Sequence, residues 1–409
     1  MLLYLEAVRA GDATRSARHF RGAYRVFLDD NKLVGSRSEK SSWLFRTLAS
    51  MSRDVRILTN QNCGRDGRAQ DEVTSLLHSA LTACLRDRTL DRTESKKQMA
   101  VHMAVILYKH CFRTNSLKNC KDIALVVRQA QARGDFATLV SKGDTVAFLF
   151  FEGLMLMRSA MNDENKMSQA ERKLTEALAK CRKDATGNRR RILVNLVPLR
   201  MSMGCLPERR LLEKYGLLLF GDFCDAMRRG DLRRFRQLMK QHLRALELSN
   251  LRPYLERCRL LAYRQVLRKI MAAVGTNIPL KVVKLGFLLH GHGFDGDDQA
   301  FSSRPDFGSS AEDLEVYEDD QLRGILSTLV FKELIKAVIK TEEDKLLLSR
   351  VSAFPSLPGR SDRKTLGATS NSNSISAFSS SAPPPVTPSF GIFDVPQKDV
   401  WRIGSNRVE

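Results

Sequence analysis

From residue 1 to about 275, apolar side chains recur every three or four positions, with only short polar interruptions between the runs. That period marks helices that bury one face, because a half-buried strand would need strict alternation instead. Residues 95–115 and 117–135 read as one antiparallel helix pair, and 144–162 and 166–184 as a second. Almost nothing in this stretch reads as strand, so the chain is expected to be all-α.

The second pair has a tetratricopeptide-like look, with Ala170, Leu174 and Ala177 on one helix face. No strict period repeats along the chain, so the expectation is a stack of degenerate helical hairpins. Such stacks offer surfaces to partner proteins rather than catalytic clefts. Residues 1–135 are assigned to these repeats, 136–352 to a second helical domain and 353–409 to a Ser/Pro-rich tail expected to be disordered.

Charge is unevenly spread. The 409 residues carry 67 Lys and Arg against 46 Asp and Glu, a net of +21. Residues 182–270 alone hold 22 basic and 8 acidic residues, a net of +14 in about a fifth of the length. Arg189–Arg190–Arg191 and Arg233–Arg234–Arg236 are among the clusters. On a helix, Arg229, Arg233, Arg236, Lys240 and Arg244 fall at steps of three or four and share a basic face. A basic excess of this size favours a polyanion or an acidic protein as partner.

Eight cysteines are present with no CxxC couplet, which argues against a structural zinc site and for a reducing compartment. No apolar run reaches membrane-span length and the N-terminus lacks a signal-peptide pattern, so a soluble intracellular protein is expected.

Catalytic and ligand motifs are sparse. Gly291, Gly293 and Gly296 satisfy G-x-G-x-x-G, but they lead into Asp295, Asp297 and Asp298, which would repel phosphate. His290 and His292 lie beside the same aspartates, yet nothing fixes a coordination geometry. No GxSxG, HExxH or P-loop occurs. The sequence therefore predicts no enzyme, no cofactor and no metal.

The last folded stretch differs from the rest. Residues 255–275, 278–291 and 318–335 read as helices, the second opened by Pro279. Between the last two lies an acidic insertion, 291–320, with ten acidic residues and one Arg. Ala337–Lys340 and Lys345–Ser349 then read as strands around the turn Thr341–Asp344. Three helices followed by a hairpin is the order of a winged helix, here spanning about 276–352.

A helical solenoid ending in a winged helix resembles the PCI domain. Residues 188–220, with Leu196, Pro198, Gly204, Pro207, Leu211, Leu212, Lys214 and Tyr215, resemble the PCI-domain-containing protein two family more specifically. The likeness continues through Gly230, Leu232, Tyr263, Arg264 and Lys269, and covers about 100–355. The resemblance implies a non-enzymatic subunit of a nuclear complex that couples transcription to mRNA export at the nuclear pore. It implies as partners a large scaffold protein with its own PCI-like region, a small acidic subunit, and the backbone of RNA or DNA. By position, the cations to meet a phosphate backbone are Arg323, Lys332, Lys336, Lys340, Lys345 and Arg350, with Arg264, Arg268 and Lys269 nearby. The same surface is equally open to the scaffold. A PCI scaffold subunit of a signalosome-like or proteasome-lid-like assembly, without nucleic-acid binding, is the alternative.

Overall fold

A computed structural model describes residues 13–29, 44–62, 66–87, 95–132, 140–160, 163–292 and 319–357. The disordered tail expected beyond 357 and the acidic insertion from 293 to 318 lie outside those residues. Contacts divide the chain into two compact units that part between Ile192 and Leu193.

The first unit is helical throughout: α1 (Ala13–Asp29), α2 (Leu44–Asn62), α3 (Gly67–Leu85), α4 (Ala100–Arg113), α5 (Leu117–Ala132), α6 (Lys142–Ser159) and α7 (Glu164–Lys180). Helix α4 is its axis. Every residue from Ala100 to Tyr108 is buried, as are His110 and Cys111, because α2, α3, α5 and α6 pack around it. A helix apolar on all sides has no other stable place. Helices α6 and α7 form the tightest hairpin, with Ala170, Leu174 and Ala177 fully buried on the face read from the sequence.

The 23-residue helix α13 (Arg252–Val274) organises the second unit. Before it come α8 (Thr186–Ser202), in which the division between the units falls, α9 (Arg209–Lys214), α10 (Leu218–Arg229), α11 (Leu232–Gln241) and α12 (Leu243–Leu248). After it come β1 (Asn277–Pro279), α14 (Leu280–His292), α15 (Asp319–Phe331), β2 (Ala337–Lys340) and β3 (Lys345–Leu348). Tyr263, Val266, Leu267, Ile278, Val283, Phe287, Leu326, Leu329, Ile335 and Leu346 close one core over these elements. The architecture is a helical array ending in a winged helix, as expected. Among the described residues no helix is long and apolar enough to cross a membrane.

The wing departs from the sequence reading in three ways. It is a three-stranded antiparallel sheet in the order β1-β3-β2, with Ile278 opposite Leu346 and Val338 opposite Leu347. Pro279 does not open a helix. It sits in an edge strand, where a missing N–H costs no ladder bond, and α14 starts one residue later. Second, α15 stops at Phe331 instead of reaching 335. Glu333 takes a left-handed φ of 53°, Leu334 N–H donates to Leu329 O at 2.9 Å and Glu333 N–H to Val330 O at 2.9 Å. That closure turns the chain so that Ile335 enters the core. Third, residues 353–357 are ordered and docked rather than part of a disordered tail. Ala353 is buried and its carbonyl accepts from Lys336 N–H at 2.8 Å. Leu357 packs on Gly204, whose φ of 87° and lack of a side chain leave the room it fills.

Candidate nucleic-acid or partner interface

The winged-helix cations fall into three groups by what their side chains already hold. Arg264 and Lys269 are committed to backbone. Arg264 Nε donates to Leu334 O at 2.8 Å and its Nη2 to Pro355 O at 2.6 Å, with the guanidinium 5.5 Å from the Phe354 ring centroid. Burial, and then neighbouring Arg268, hold its pKa below the usual arginine value. Lys269 Nζ donates to Arg229 O at 2.7 Å, where the end of α10 presents bare carbonyls. Holding a helix end and a strap of chain is structural work: Arg264 does it half-buried, and Lys269 does it from an exposed position.

A second group is paired across the wing. Glu343 in the turn accepts from Lys340 Nζ at 2.7 Å and Lys345 Nζ at 3.3 Å. Those two hydrogen bonds, the Lys340 one first, hold the Glu343 carboxyl below its usual range. Arg323 on α15 reaches Asp344 at 3.0 Å and lies 3.9 Å from Asp320. Lys332 is half-buried just beyond the end of α15.

The third group is Arg268, Lys336 and Arg350. All three are exposed, and no side-chain partner is found for them among the described residues. These are the cations best placed to meet a new anion, since no existing pair has to be broken.

The basic helix face of Arg229, Arg233, Arg236, Lys240 and Arg244 does not exist as one face. Gly230 has φ 67° and closes α10, and Asp231 caps α11 by accepting from Arg234 N–H at 2.7 Å. A second break at His242 places Arg244 on α12. Steps of three and four align residues only while one helix continues, and here three helices share the five. Arg189, in the next cluster upstream, is buried and donates to Cys181 O at 3.0 Å and Leu178 O at 3.2 Å.

Charge counting also passed over an apolar component. Phe331 is 86 %, Val338 63 % and Val351 97 % exposed. Val338 was legible in principle, because alternation along Ala337–Lys340 sends it to the face opposite Ile339. The other two sit where helix and strand end, and no period marks them. Among the described residues no cluster of three His, Cys, Asp or Glu side chains is arranged to hold a metal ion.

No family model matches the chain. Comparison with curated sequences does find relatives. The chain is 26 % identical over 335 residues to the PCI domain-containing protein 2 homolog of Dictyostelium discoideum, covering 77 % of this chain and 70 % of that protein. It is 25 % identical over 322 residues to the Drosophila melanogaster homolog, covering 77 % and 74 %. It is 28 % identical over 298 residues to the protein CSN12 homolog of Neurospora crassa, covering 68 % and 59 %. Helical array, winged helix and these alignments together define a PCI-domain protein. Within that class the chain is similar to proteins named PCI domain-containing protein 2, at 22 to 26 % identity over about three quarters of its length.

Proposed function

We propose that the protein is a non-enzymatic PCI adaptor of a nuclear complex that couples transcription to mRNA export at the nuclear pore. Its partners are a large scaffold protein with a PCI-like region, a small acidic subunit and the backbone of RNA or DNA. One observation carries the nucleic-acid part: Arg268 on α13 and Lys336 and Arg350 in the winged helix are exposed, with no side-chain partner among the described residues. Cations of this kind bind phosphates by counterion release and give affinity without sequence choice.

The test is binding of single-stranded RNA and duplex DNA across a salt series. Log affinity is expected to fall linearly with log salt. Joint charge reversal (R268E, K336E and R350E) is expected to reduce the slope by about 2 to 3. Binding that ignores salt, or a slope unchanged in the triple variant, removes the nucleic-acid part.

A second reading has its own support. Exposed Phe331, Val338 and Val351 suit a protein contact better than a phosphate backbone, and one relative is named as a CSN12 homolog. On that reading the protein is a scaffold subunit of a signalosome-like assembly. Loss of assembly in F331S/V338T with unchanged RNA binding would favour it.

A further inference from the structure

Helix-turn-helix relatives read duplex DNA by laying one recognition helix in the major groove, and α15, the last helix before the wing, holds that place. Its surface is wrong for the task. Asp319 and Asp320 open it exposed, and its other exposed positions are Gln321, Gly324, Ser327 and Phe331. Arg323, the one cation of the helix, is held by Asp344 with Asp320 nearby. The wing tip is no better, because Glu343 takes Lys340 and Lys345 while Glu342 and Asp344 stand exposed beside them. Groove entry would set carboxylates against phosphates at both places.

The far end of α15 is different. Phe331 closes the helix 86 % exposed and takes no part in the core of the unit. Ile335 N–H donates to Leu329 O at 3.3 Å, which folds the chain back on the last turn of α15 and brings Lys336 to it. Lys336 O accepts from Ser349 N–H at 2.9 Å, so Arg350 follows one residue further on. On the other side of the closure Arg264 holds Leu334 O, and Arg268 stands one turn along α13 from Arg264. Arg268, Lys336 and Arg350 are exposed with no side-chain partner among the described residues. Glu333 is the one acid of the closure. Proteins that bind single strands combine these same parts, an exposed ring for the base face and cations for the backbone.

We infer that Phe331 is a base-stacking residue and that this winged helix takes a single-stranded polynucleotide, with one unpaired base on the Phe331 ring and the flanking phosphates on Arg268, Lys336 and Arg350. The inference rests on the nucleic-acid reading of the same surface, and adds to it the form of the polymer and the residue that selects it. A duplex keeps its base faces stacked, so it offers these side chains its phosphates alone. Stacking is tolerant of sequence, because every base has a face to give.

The experiment titrates the full chain with four labelled ligands of about 12 nucleotides, within the usual site size: an RNA strand, the DNA strand of the same sequence, an abasic strand and a blunt duplex. F331A should lower affinity for the RNA and DNA strands about five- to hundredfold. It should leave the abasic strand, the duplex and every salt slope as they were. F331W should keep single-strand affinity, whereas F331L, apolar but without a ring, should lose it. A 2-aminopurine in the strand should be quenched on binding the unaltered chain and not on binding F331L. Because Phe331 lies outside the core, none of these variants should shift the melting temperature. The inference alone is overturned if the ligands bind with a salt slope but F331A and F331L bind them as the unaltered chain does, which would make Phe331 a protein contact. An equal loss for duplex and single strand overturns it too. If no ligand binds in a salt-dependent way, the inference falls together with the nucleic-acid reading.

Discussion

The Arg264 guanidinium, on helix α13, donates to the Leu334 carbonyl at 2.8 Å across 70 residues of chain, and its other arm holds Pro355 O. One side chain thereby joins the long helix to the closure after α15 and to the chain beyond the wing. R264A should cost about 3 kcal/mol, from two charge-assisted hydrogen bonds lost and two carbonyls left partly buried. Denaturant unfolding of the second unit checks the size. The salt slope of nucleic-acid binding should stay where it was. A slope reduced by about 1 with stability intact would make Arg264 a phosphate contact instead.

Two left-handed positions predict opposite outcomes. Gly230 needs its φ of 67°, and a Cβ there would come within 3.0 Å of Val266 Cγ2 in the core. G230A should therefore destabilise by roughly 1 to 2 kcal/mol. Glu333 occupies the equivalent capping position after α15 with φ 53° and is exposed. E333G should stabilise by up to about 1 kcal/mol. Chemical denaturation of both variants decides it, and a destabilised E333G would mean that the glutamate side chain holds something more than its conformation costs.

Those two residues also show what the sequence made legible. Periodicity located the long helices and the buried Ala170–Leu174–Ala177 face, because many positions vote on each helix. It failed at helix ends, where one residue decides. Gly230 and Asp231 cut what looked like a continuous basic stripe, and Glu333 carries no sign of a left-handed turn. A three-residue strand such as Asn277–Pro279 is too short to have a period at all, and only its pairing with β3 defines it. Charge located a basic stretch at 182–270 but could not separate cations such as Lys336 from Arg264 and Lys269, which already donate to backbone carbonyls. That distinction depends on carbonyls brought near from 40 to 91 residues away.

In the first unit, Glu152 on α6 is 1 % exposed and is held by Arg128 Nε at 2.6 Å, with Lys173 Nζ at 3.2 Å from its other oxygen. Removing one cation leaves a buried carboxylate half compensated. R128A should cost about 2 kcal/mol, below the range for an isolated buried charge because Lys173 remains. E152Q on the R128A background should recover part of the loss. If the two losses simply add, the pair is not coupled.

His110 is fully buried on α4, and its Nε2 donates to Gln70 O at 3.1 Å while Nδ1 has no hydrogen-bond partner among the described residues. Burial lowers its pKa, the Gln70 bond opposes that, and Arg56 lowers it further against Asp71. A histidine with a depressed folded pKa binds protons more readily when unfolded. Its contribution is therefore present above the unfolded value of about 6.5 and is lost as pH falls below it. The melting temperature of the first unit should decline between pH 7 and 5. The decline should be shallower in H110Q, and an identical pH profile in that variant would remove His110 as the cause.

The wing's own anion gives the sharpest test of which cations are available. Glu343 occupies Lys340 and Lys345 together, so both ammonium groups enter any phosphate complex only after giving it up. E343Q should release them and strengthen RNA binding about two- to fivefold at low salt, the scale of exposed ion pairs. The salt slope should steepen by up to about 1 to 2 as the released lysines take phosphates. K336E, at a position with no pair to break, should weaken binding in either background by the same factor. Should E343Q leave affinity and slope untouched while K336E still lowers them, the phosphate path runs past Lys336 and not over the tip of the wing.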